Sequence, residues 1–192
     1  MTTADDVLAF WFAGDRHAWR EAWFKRDDGF DAAIRDHFGA LPAQARDGAL
    51  DTWAAAPAGA LALTLVLDQF PRNLHRGSAE AFACDGKARA IARAAVLRDR
   101  FDLALTPNER AFLYLPFEHS ESMADQDLSV ALFEGLRDHG TTHTDPAKGT
   151  IAYAWAHSRV IQAFGRFPHR NAAIGRATTP AEQAWLDAGG GF

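Results

Sequence analysis

The chain has one cysteine, Cys84, among 192 residues. No intrachain disulfide can form and a zinc ribbon is excluded, which suits a reducing compartment. Long apolar runs are also missing. The longest, near Ala60 to Leu67, falls well short of the roughly 18 residues that span a bilayer. The opening Met-Thr-Thr-Ala-Asp-Asp has neither the basic nor the apolar region of a signal peptide. These absences predict a soluble, cytoplasmic protein with no membrane partner. Excess positive charge is lacking too. The net charge is −5 and the arginines are dispersed, so no nucleic-acid partner is expected. Gly-x-Ser-x-Gly, the P-loop and the dinucleotide fingerprint are all absent, which disfavours the common hydrolase, nucleotide-kinase and Rossmann chemistries. There is no His-Glu-x-x-His or Glu-x-x-His pair either, and neither metal nor cofactor is expected.

What is present is helical. With 48% hydrophobic and 23% charged residues the composition is globular, and the length fits one domain, residues 1–192, with a frayed tail over 189–192. Thr3 can cap a helix through Phe12, with Asp5 and Asp6 in its first turn. Further helices are read at Asp28–Phe38, Leu41–Arg46 and Pro57 to about Gln69, the last apolar on nearly every side and therefore central. Others follow at Asp85–Arg98, Pro107 to about Ser120, Asp125–His139, Pro146–Phe164 and Pro180–Asp187. Thr106-Pro107-Asn108-Glu109 and Thr179-Pro180-Ala181-Glu182 are capping boxes with proline at the first helical position. No useful alternating pattern appears, so strands are not expected. The fold class is all-α, a single domain of nine or ten helices.

Two segments share an unusual grammar. Phe70-Pro71-Arg72-Asn73 ends the apolar helix, and Phe167-Pro168-His169-Arg170-Asn171 follows the long helix near the carboxyl end. After each come a glycine, a hydroxyl residue, a glutamate and an aromatic: Gly77, Ser78, Glu80 and Phe82, then Gly175, Thr179, Glu182 and Trp185. A residue before proline is pushed out of the α region, so Phe70 and Phe167 are expected to stop their helices in extended form. Arginine and asparagine then emerge beside a helix carboxyl end, where both are favoured.

These segments, with Phe10-Trp11-Phe12, Trp23-Phe24-Lys25, Leu67-Asp68-Gln69, Leu113-Tyr114-Leu115-Pro116-Phe117-Glu118-His119-Ser120-Glu121 and Asp125-Gln126, resemble a bacterial family, domain of unknown function 924. The resemblance covers most of the chain. It implies a tetratricopeptide-like array of antiparallel helix pairs and no established activity. The chain does not show the 34-residue tetratricopeptide consensus, so that architecture rests on the resemblance.

The densest polar segment is Pro116 to Asp125. Pro116 should kink or shorten its helix. If that helix continues, Glu118 and Glu121 share a face with Asp125 nearly in line, and a cation must answer them. The candidates are arginine (Arg72, Arg76, Arg166 or Arg170) and a metal held with His119, His157 or His169. His119 points about 100° from the carboxylate stripe, which favours arginine. Three readings of these residues stay open: an ion-paired clasp, an arginine-lined ligand site and a metal site. His157 falls on an apolar face and is read as a buried core histidine or a ligand. Asp68, at the end of an apolar helix, needs a partner, with Arg72 nearest. Cys84 is expected to be a buried, inert thiol.

The functional expectation is a pocket for a small anionic ligand such as a carboxylate or phosphate. Arg72, Asn73, Glu121, His157, Arg166, Arg170 and Asn171 would bind it, with His119 or His169 as acid or base beside Glu118. The alternative is an interaction scaffold with a protein partner, in which the polar motifs are structural.

Overall fold

The structure is a computed structural model that describes residues 2–137 and 149–192. Among the described residues there are nine α-helices and no strand. They are α1 (Ala4–Trp11), α2 (Asp28–Phe38), α3 (Leu41–Arg46), α4 (Pro57–Leu74), α5 (Asp85–Arg93), α6 (Pro107–Glu118), α7 (Met123–Glu134), α8 (Thr150–Phe164) and α9 (Pro180–Asp187). The carboxyl end of the expected seventh helix and the start of the expected eighth, at His139 and Pro146, lie outside the described residues. Among the described residues, no helix is long and apolar enough to cross a membrane.

α4 is the axis of the fold. Every residue from Gly59 to Pro71 is buried, as its all-round apolar pattern predicts. It packs against α1, α2, α3, α5 and α6, while α7 lies between α6 and α8. Aromatic rings close one end. Trp11 meets Phe30, Phe70 and Phe112 at centroid separations of 5.4, 5.8 and 5.4 Å. The helix starts are set as their sequences dictate: Thr3, Thr106 and Thr179 each form a capping box with the acid three residues on.

The two Phe-Pro motifs differ, and the first departs from expectation. α4 does not stop at Phe70 but runs through Pro71 to Leu74. Phe70 is fully buried between Trp11 and Phe38, and Asn73 and Arg76 beyond it are tied to Asp31 on α2. This tertiary anchoring on both sides of Pro71 outweighs the local preference of a residue before proline. Phe167 does turn extended, and Pro168–Arg170 form a short 3-10 turn. There α8 has already ended at Gly165, whose positive φ of 68° closes the helix.

α6 likewise tolerates Pro116 but ends at Glu118. Gln126 of α7 explains the stop: its Nε2 donates to the carbonyls of Glu118 and Ser120 at 2.7 and 2.6 Å. Those acceptors have no further helical turn to satisfy them. Glu118 and Glu121 therefore do not share a helical face. At the carboxyl end, Phe192 stacks on His157 with ring centroids 3.6 Å apart.

Candidate functional site

Where α4, α6 and α8 converge there is a cavity of about 530 Å³. α4 contributes Gln69, Arg72 and Asn73, α6 contributes Glu118 and His119, and α8 contributes Tyr153 and His157. The turn after α8 adds His169 and Arg170, and Trp19, Trp23 and Phe24 form an aromatic wall. A smaller cavity of about 230 Å³ also touches Phe82, His119 and Arg170.

Asp68 anchors the polar end. It is completely buried and accepts from Gln69 Nε2 at 2.6 Å, with Arg72 Nη1 at 3.4 Å. His119 Nδ1 lies 2.8 Å from its Oδ1. Burial works to raise the Asp68 pKa, but the charges of Arg72 and His119 and its hydrogen bonds outweigh this and hold it below the usual carboxylate range. An ionised carboxylate only accepts, so His119 donates from Nδ1 and keeps its lone pair on Nε2. His157 is oriented the same way, its Nδ1 donating to the Tyr153 carbonyl at 2.9 Å.

Glu118 has a different environment. Its Oε1 lies 3.2 Å from His157 Nδ1, and among the described residues its buried Oε2 has no hydrogen-bond partner. Burial, with the Asp68 charge nearby, pushes its pKa up to about 8. Burial also lowers His119, helped by Arg72 and opposed by Asp68. It holds His157 well below the ordinary imidazole value and His169 down to about 4. Burial thus disfavours charge on Glu118 and on all three imidazoles of this corner.

The two motif arginines meet on one carboxylate. Arg72 clasps Asp85 with two nearly parallel hydrogen bonds of 2.9 and 3.0 Å. Arg170 reaches the same group only at 3.4 Å. Its guanidinium lies 4.7 Å from the Phe82 ring centroid and 4.5 Å from that of Phe167, and its buried Nε donates to nothing among the described residues. Burial and the Arg72 charge pull its pKa down to about 10, which leaves it cationic at neutral pH.

The expected site residues divide accordingly. Arg72, Asn73, Glu118, His119, His157, His169 and Arg170 line one cavity, although Asn73 donates to Asp31 at 2.6 Å. Arg166 and Asn171 lie elsewhere, and Glu121 borders the smaller cavity with His119 and Arg170. Arg166 pairs with Glu182 at 2.5 and 2.8 Å, and Asn171 is buried beside Thr178 and Glu182. Glu121 is clasped by Arg176 at 2.7 and 2.9 Å and accepts from the Phe167 amide. Asp125 is answered by Arg89 and Arg93 of α5. Glu121 and Asp125 thus find arginines, but different ones from those expected, and Glu118 faces His157 instead. Cys84 is buried, and burial pushes its thiol pKa up, away from a reactive thiolate.

Residues that sequence reading did not assign to the site are Asp85, Phe82, Tyr153 and Phe192, together with the aromatic wall. Phe82 and Asp85 had a usable signal, since both lie within about a dozen residues after the first motif.

The family model described as bacterial protein of unknown function (DUF924) matches residues 7–190. The chain belongs to this bacterial family. A solved structure from Agrobacterium tumefaciens, of the protein of unknown function ATU0120, is similar over the whole fold. The TM-score is 0.83 at 36% identity, covering 96% of this chain and 97% of that one. No curated protein matches.

Proposed function

We propose that the protein binds a small organic anion, carrying a carboxylate or phosphate group, in the cavity between α4, α6 and α8. The observation that carries this reading is Arg170. It is a buried cation with one long carboxylate contact and an unpartnered Nε, and it lines a cavity walled on another side by Trp19, Trp23 and Phe24. A guanidinium held between two rings presents its remaining donors to a planar or tetrahedral anion. The aromatic wall suits an apolar body attached to that anion. His119 and His169 reach the same cavity and are the groups available for proton transfer if the bound molecule reacts.

The alternative draws on the ion-paired state of Arg72, Arg166 and Arg176, which fits a tetratricopeptide-like scaffold whose motifs are structural. Thermal unfolding separates the two. Inorganic phosphate, phosphorylated metabolites and aromatic carboxylates would be screened against the wild type and Arg170→Gln. Stabilisation of several degrees that disappears in a folded Arg170→Gln variant is expected. An unresponsive wild type, or an equal response in both proteins, returns the motifs to a structural role.

A further inference from the structure

We propose that Glu118, His119 and His157 form a binding site for one divalent transition-metal ion, zinc being the natural probe. Two imidazoles and a carboxylate are a donor set that selects zinc and its neighbours over magnesium or calcium. One donor atom from each residue lies within 4.8 Å of the other two. Atoms bound to zinc at roughly 2.0–2.1 Å stand about 3–3.5 Å apart, so small side-chain rotations would seat the ion. Glu118 and His119 are adjacent at the end of α6, and His157 comes from the facing helix α8. α6 and α8 are in direct contact, which holds the three on a rigid frame.

Two further observations point to an ion rather than to a bare polar cluster. Glu118 Oε2 is buried with no hydrogen-bond partner among the described residues, an arrangement that is costly unless something occupies it. Both histidines also have the support that metal-bound imidazoles use. His119 is held through Nδ1 by Asp68, which is itself fixed by Gln69 and Arg72, and His157 is held through Nδ1 by the Tyr153 carbonyl. Each ring is thereby left with its lone pair on Nε2.

The charges allow it. Asp68 and Asp85 offset Arg72 and Arg170, and Glu118 as a ligand contributes one negative charge. An ion of charge two then leaves one positive charge facing the cavity. Three protein ligands leave at least one coordination position open, as at reactive rather than structural zinc sites. The inference stands apart from the anion reading, since these three residues would hold an ion with or without an organic ligand.

The test uses untagged full-length protein, stripped with chelator and titrated with zinc chloride in a buffer free of candidate anions. One ion per chain is expected. Glu118→Gln and His157→Gln should weaken binding by more than about a hundredfold, and Asp68→Asn by about 10–100-fold, the range for an outer partner of a ligand. His75→Gln, which removes an exposed histidine, should bind as the wild type does. Cobalt substitution should give a visible absorption band that Glu118→Gln abolishes. If the ligand variants unfold, anomalous scattering at the zinc edge from wild-type crystals decides, with the peak expected among the three side chains. Wild-type affinity in folded Glu118→Gln, loss of binding in His75→Gln, or an anomalous peak elsewhere overturns the proposal. Because no organic anion is present, failure here leaves the Arg170 reading intact, and the converse holds.

Discussion

Asp85 is the point at which the two Phe-Pro segments are joined, and Asp85→Ala tests how much that junction matters. The substitution removes two short, nearly parallel hydrogen bonds to Arg72 and the longer contact to Arg170. Each charge-assisted bond contributes about 1.5–3 kcal/mol in a protected setting. The carboxylate is 16% exposed and the two guanidinium side chains 19% and 9%, so water recovers only part of the loss. What remains is a pair of cations beside Phe82 with one fewer neutralising group. Breaking such a pair costs about 3–4 kcal/mol. For a chain of this length that corresponds to a fall in Tm of about 6–16 °C. Urea unfolding of the wild type, Asp85→Ala, Arg170→Gln and the double variant measures the coupling directly. The double variant should be more stable than the two single losses added together, because removing Arg170 relieves the uncompensated charge. Inorganic phosphate should restore part of the Asp85→Ala loss by occupying the vacated position. A loss below about 1 kcal/mol, or strict additivity in the cycle, would refute the reasoning.

Asp31 supplies a pH dependence. Burial works to raise its pKa, but hydrogen bonds from Arg76 and Asn73 and the Arg76 charge hold it below the ordinary value of 3.8. A depressed folded value stabilises above the unfolded pKa and loses that contribution as pH falls through the folded one. Asp31→Asn should therefore be less stable than the wild type by about 1–3 kcal/mol at pH 7, with the gap closing below about pH 4. A gap that does not change between these pH values would show that the charge is not what holds Asn73 and Arg76. Gly59→Ala should destabilise although alanine is the better helix former by about 1 kcal/mol. A Cβ there would sit 2.1 Å from the Trp53 carbonyl oxygen, and overpacking costs about 1–3 kcal/mol or more. A raised Tm would show that the Trp53 segment yields freely.

The helices were legible because their signals are local. The capping boxes at Thr106 and Thr179 and the cap at Thr3 sit where their sequences place them, and the central position of α4 follows from apolar residues on all its faces. The polar corner was only half legible. The Phe-Pro-x-Arg grammar picked out Arg72 and Arg170, and the dense polar run of α6 picked out Glu118 and His119. Pairings between distant residues have no local signature. Nothing near Glu121 indicates Arg176, and nothing near Asp125 indicates Arg89 and Arg93. The helix wheel also misplaced His119. It assumed that α6 continues through Glu121, whereas the helix ends at Glu118 and His119 at its cap bonds Asp68, so the carboxylate stripe from which His119 was measured does not exist. Phe70 failed for a related reason, since the burial of its ring against Trp11 and Phe38 is invisible to a rule about the residue before proline.

The aromatic wall gives the protein a built-in optical reporter. Trp19 and Trp23 border the cavity, with Trp19 stacked on Phe24 at 5.0 Å and Trp23 edge-on to Phe112 at 4.9 Å. Indole emission follows local polarity and quenching, so a molecule displacing water from this wall changes the signal without any attached dye. The other four tryptophans, Trp11, Trp53, Trp155 and Trp185, do not border the cavity and supply a constant background that phenylalanine substitution can remove. A chain retaining only Trp19 and Trp23 would turn the search for its ligand into a fluorescence titration.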